Sequence, residues 1–167
     1  MQKIGDLEIN QDLGFERRSW RVERVAWAIA ALILVAALLG FLGPGPLGKA
    51  TAASPDKSLS MDYFRVERYA APVELRFHIA RALAKDGELQ VWLDRDFVEA
   101  LEIKHIDPKP ESVQINGERF VYVFRTASAP ETLRIFFHVE PNKFGKTPAR
   151  AGVVNGPEIR FSQFYMP

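Results

Sequence analysis

The sequence predicts a mostly β protein, with one N-terminal transmembrane α-helix followed by an antiparallel, immunoglobulin-like β-sandwich. Three observations predict it. Val25 to Leu42 reads VAWAIAALILVAALLGFL, a run without charge or strongly polar side chains. From Leu59 onward the apolar period changes to two, as where Val73, Leu75, Phe77 and Ile79 alternate with Glu74, Arg76 and His78. Turn signals then recur at short spacing, the strongest being Asn116-Gly117 between two strand-like runs.

Residues 1–24 read as a cytoplasmic N-terminal segment and residues 25–43 as the membrane helix. As a helix, Val25 to Leu42 spans about 27 Å, close to the roughly 30 Å hydrocarbon core of a bilayer. A buried helix of a soluble protein normally keeps a polar stripe, and this run has none. Arg17, Arg18, Arg21 and Arg24 crowd its N-terminal side, whereas Lys49 and Lys57 are the basic residues soon after it. The positive-inside rule therefore puts the N-terminus in the cytoplasm. Trp20 and Trp27 stand where interfacial aromatic anchors belong. Glu16 to Arg24 contains no breaker, so the helix is expected to start before the bilayer. Ala26 with Ala30, and Ala36 with Gly40, form small-xxx-small pairs that would permit a homo-oligomer through the helix.

Residues 44–58 are rich in Gly, Pro, Ala and Ser and read as a linker. Ala50-Thr51-Ala52 matches a signal-peptidase site, so a secreted module released after Ala52 is one expectation. The long apolar run and the acid-bearing segment before it favour an uncleaved signal anchor. Residues 59–167 read as an extracytoplasmic domain. Strands are expected near 60–69, 72–80, 88–94, 101–106, 112–116, 118–125, 131–140, 147–154 and 158–166, with a helical turn at 95–100 capped by Asp94. That count in a domain of this size suits an immunoglobulin-like sandwich, with a small β-barrel as the alternative. Phe120, Tyr122, Phe124, Phe161, Phe164 and Tyr165 are expected in its core. Trp92 and Phe136 fall opposite the apolar rows of their strands and are the candidate partner surface.

Chemistry is sparse. Gly43-Pro44-Gly45-Pro46-Leu47-Gly48 spells G-x-G-x-x-G, but it follows an apolar helix, and its two prolines cannot donate to phosphate. It marks the helix exit, not a nucleotide site. The metal candidates are His78, His138 and His105, which adjacent strands would have to gather. Asp94 and Asp96 are two carboxylates of one loop, short of a calcium-loop pattern; a glycosidase-type carboxylate pair forms in space and not in sequence, so the sequence leaves it open. The loop from Glu140 to Gly152 carries Lys143, Lys146 and Arg150, either solvated or facing acidic headgroups or a partner. Residues 49–167 are balanced to within one charge, which removes the basic excess of a nucleic-acid binder. The chain has no cysteine and no N-glycosylation acceptor, which suits a bacterial inner (plasma) membrane with the domain in the periplasm or outside the cell.

The expectation is a non-catalytic binding, scaffold or accessory subunit, with the lipid bilayer and another membrane or envelope protein as partners and no cofactor. The alternative is a ligand-binding or enzymatic envelope domain, for example one acting on polysaccharide.

Overall fold

The computed structural model describes residues 13–38, 48–126 and 130–167, the first segment with side chains from Ser19 onward. The chain divides into two compact units, one ending at Leu39 and the other beginning at Gly40.

The first unit holds α1 (Leu13–Leu38). It begins well before Val25, as the absence of a breaker predicts. Arg17 and Arg18 lie in α1, their side chains outside the described residues. The Arg24 guanidinium lies 3.8 Å over the Trp20 ring. From Val25 onward the helix is apolar on every side, and its large side chains are exposed, Trp27 at 70 % and Leu38 at 74 %. Among the described residues no helix is long and apolar enough to cross a membrane. The uncharged part of α1, Val25 to Leu38, covers only about 21 Å. Residues 39–43, Gly40 among them, complete the expected span and lie outside the described residues, as does most of the G-x-G-x-x-G stretch.

The second unit is β-rich and built of two sheets. Its elements are β1 (Lys49–Ala53), β2 (Leu59–Phe64), β3 (Val66–Arg68), β4 (Val73–Ala80), β5 (Glu88–Asp94), α2 (Arg95–Glu99), β6 (Leu101–Asp107), β7 (Ser112–Asn116), β8 (Arg119–Arg125), β9 (Thr132–Pro141), β10 (Gly145–Val153) and β11 (Glu158–Met166). One sheet runs β1-β2-β4-β9-β6 and the other β3-β11-β10-β5-β8-β7. Pairing is antiparallel except where β3 lies parallel to β11, a departure from the all-antiparallel expectation.

The core follows from the period-two pattern. Leu75, Phe77 and Ile79 of β4 and Ile135 and Phe137 of β9 face Leu89, Val91 and Leu93 of β5 and Phe124 of β8, all at most 1 % exposed. Burying one such side chain contributes about 1.5–3 kcal/mol. Tyr122 meets Phe137 edge-on at 5.1 Å and ties the sheets together. Phe97 of α2 closes one end, edge-on to Phe161 at 5.1 Å. Phe120 packs against this core, and Tyr165 lies within it. Phe164 does not, at 46 % exposed. In β11, Ile159, Phe161, Gln163 and Tyr165 take the inward parity, which leaves Phe164 outward.

The linker reading of 44–58 needs correction. Lys49–Ala53 is a strand paired along its length with β2, with Ala52 opposite Met61. The bend that follows is also ordered: the Ser54 hydroxyl bonds Asp56 Oδ1 at 2.5 Å, and the Ser54 amide donates to the Leu59 carbonyl at 2.8 Å. Ser54 and Ser58 hold the Asp56 carboxyl below its ordinary range. The β7–β8 hairpin forms as expected, with Asn116 opposite Arg119 and Gly117 supplying the left-handed φ of 59°.

Candidate functional site

A cleft of about 510 Å³ rich in charged side chains lies where α2, β10 and β11 meet, lined by Asp94, Arg95, Asp96, Glu118, Arg150 and Arg160 over Phe161. Asp94 is its deepest carboxylate. It occupies the N-cap position of α2 but makes no side-chain capping bond, contrary to the cap expected from sequence. Its Oδ2 instead accepts from the Arg150 amide at 3.0 Å and from Arg150 Nε at 3.1 Å. Two donors from a neighbouring strand outcompete one exposed helix amide. Asp94 in turn holds the Arg150 guanidinium protonated above its ordinary range. Among the described residues, Asp94 Oδ1 is the buried side-chain oxygen without a hydrogen-bond partner. A buried carboxylate oxygen without a donor favours a ligand group that brings one. Asp96 is exposed in the first turn of α2.

The histidines divide. His105 and His138 are opposite one another on β6 and β9, with rings stacked at 5.9 Å. His78 lies away from them on β4, opposite Arg134, and bonds Asp62 Oδ2 at 3.2 Å. His138 Nδ1 approaches Glu74 Oε2 at 3.6 Å. All three share the outward face of the first sheet, but along β4 His78 is four positions from Glu74, the residue opposite His138. Among the described residues no group of three or more His, Asp or Glu is placed to hold a metal ion.

Trp92 and Phe136 do not form one surface, because they sit on different sheets. Trp92 faces away from the core, yet it is only 3 % exposed. The Arg119 guanidinium covers its ring at 3.8 Å. On its other side lies Gly152, where an added Cβ would stand 2.8 Å from the indole and from the Pro157 carbonyl. Val121 and Val123 of β8 are buried on the same outer face. Outward parity does not expose Trp92, because a glycine and a cation supply the cover. Phe136 is half-buried, with Arg76 and Asp107 opposite it on the flanking strands.

Sequence reasoning missed Glu67 of β3. It is 7 % exposed, and burial pushes its carboxyl up from 4.5 to about 7. Beside it the Tyr165 hydroxyl donates to Gln163 Oε1 at 2.9 Å, and Gln163 Nε2 donates to the Phe64 carbonyl at 3.0 Å. No local pattern marks Glu67, because β3 is three residues long and pairs with the far end of the chain. A scan against protein-family models finds no match for this chain, and a search of curated proteins likewise finds none.

Proposed function

We propose that the chain is a single-pass membrane-anchored protein whose immunoglobulin-like β-sandwich is a non-catalytic binding or accessory module for another envelope or membrane protein. The observation that carries this reading is α1, apolar on every side from Val25 onward, with its large side chains exposed. In water such a surface is unfavourable, and the apolar sequence runs on to Leu42. The arginines before it set the N-terminus in the cytoplasm and the β domain outside. The immunoglobulin-like reading is supported by strand order. β2-β4-β9 beside β11-β10-β5 has the order of strands A-B-E and G-F-C. It departs from that scheme where β6 joins the first sheet before the β7–β8 hairpin extends the second.

The non-catalytic reading is supported by the partners that the polar groups already hold: Asp94 is bound by Arg150, His78 by Asp62, and Lys104 by Glu102 and Glu140. A second reading, a small-ligand site in the Asp94 cleft, is favoured by the unpartnered Oδ1 alone. Alkaline phosphatase fused after Pro167 should be active, and green fluorescent protein fused there should be dark, in a chain that resists alkaline carbonate extraction. The reverse pattern, or release by carbonate, overturns the anchor.

A further inference from the structure

The chain enters the β domain at one corner, and that corner is both aromatic and basic. The Gly48 carbonyl accepts from the Arg65 amide at 2.8 Å, and the Arg65 carbonyl accepts from the Phe164 amide at 2.8 Å. Phe164 is thus two backbone hydrogen bonds from the point of entry. The Tyr69 amide donates to the Met166 carbonyl at 2.8 Å, and the Tyr69 and Phe144 rings lie 4.4 Å apart. Tyr69, Phe144 and Phe164 are 43 %, 59 % and 46 % exposed. Single exposed apolar residues are ordinary. Three large aromatics brought to one corner from separate segments form a patch that calls for an occupant.

The charged side chains around them are mostly basic. Lys49, Arg65, Arg68, Lys143 and Lys146 are all exposed. Among the described residues Arg65, Arg68, Lys143 and Lys146 make no ion pair. Of the nearby acids, Glu67 is buried, and Glu99 pairs with Arg95 Nε at 2.6 Å while also feeling the Lys143 charge. A second copy is a poor occupant, because the same basic corner would repel itself.

We infer that this corner seats the domain on an anionic bilayer surface, with Tyr69, Phe144 and Phe164 in the headgroup layer and the basic side chains against lipid phosphates. This rests on the membrane-anchor reading. Under that reading the helix ends at residue 43, and residues 44–47 reach at most about 14 Å when fully extended, so the corner is tethered near lipid. Aromatic rings suit the interfacial layer, and each basic group beside an anionic surface contributes about a fivefold change in partition.

The absence of cysteine allows a clean test. The full chain carrying Pro167→Cys, beside the corner, or Lys85→Cys, an exposed position at the opposite end of the sandwich, is labelled with an environment-sensitive fluorophore. It is then reconstituted in vesicles of phosphatidylcholine with or without phosphatidylglycerol. Expected is quenching by headgroup-level spin-labelled lipid at position 167 only, and only with phosphatidylglycerol. Lys143→Glu with Lys146→Glu should lower the docked-to-free ratio at least about 25-fold, with the far-ultraviolet circular dichroism unchanged. A probe at 167 that stays in water in co-floating vesicles overturns the docking, as does equal quenching in both lipids. A chain that fails to float with vesicles overturns the anchor itself.

Discussion

Glu67→Gln should stabilise the β domain at alkaline pH and remove part of its pH dependence. Burial raises the Glu67 carboxyl from 4.5 to about 7, so between those values the folded chain holds a proton that the unfolded chain has lost. Stability therefore falls as pH rises through that window, because the folded state binds the extra proton. The full contribution is present below about pH 4.5 and is gone above about pH 7. A tenfold change in acidity constant corresponds to about 1.4 kcal/mol, so the loss amounts to about 3 kcal/mol. Glutamine is neutral throughout and nearly isosteric. At pH 8 the variant should exceed the wild type by up to about 3 kcal/mol, close to 10 °C in Tm for a domain of this size. Below pH 4.5 the two should converge. Thermal unfolding of the full chain in detergent, followed by tryptophan fluorescence across this range, supplies the difference curve. Other carboxylates titrate equally in both proteins and cancel. A difference independent of pH, or a wild type more stable than the variant at pH 8, would refute the reasoning.

Gly152→Ala places a Cβ 2.8 Å from the Trp92 ring and from the Pro157 carbonyl. It should cost about 1–3 kcal/mol through overpacking, read as a lower denaturant midpoint. Trp92→Ala should also destabilise, by about 3 kcal/mol or more, because the indole is buried although it faces outward; a change under about 0.5 kcal/mol would mean that it is an exposed contact residue. Asp94→Ala removes the acceptor of two Arg150 bonds. With the Arg150 side chain partly exposed, the expected cost is about 1 kcal/mol, and chemical denaturation would detect it.

The strands were legible where the alternation was long and its inward row apolar, as in β4, β5, β9 and β11. β1 was not legible. Lys-Ala-Thr-Ala-Ala has weak strand propensity and follows a Gly/Pro run, so the local signal says linker. Pairing with β2 makes it a strand, and that information lies in the partner. Phe164 could have been placed by parity, since Phe164 and Tyr165 cannot both face inward in one regular strand. The burial of Trp92 depends on Gly152 and Arg119, each remote in sequence, and the Asp94–Arg150 pair joins residues far apart in the chain. Sequence carries residue types well and non-local cover poorly. The aromatic-basic corner is the same case: the lysine loop was visible alone, but Tyr69 and Phe164 join it only through β3 and β11.

β1 gives the Ala50-Thr51-Ala52 stretch a different meaning from the one its letters suggest. The bond after Ala52 lies inside a strand hydrogen-bonded to β2. Processing enzymes grip their substrates as extended, unpaired chain, so a peptidase would have to peel β1 away before cutting. Cutting there would also strip the sheet of an edge strand. Once β1 pairs with β2, the Ala52–Ala53 bond is closed to any enzyme that needs unpaired chain, so the folded domain protects that bond.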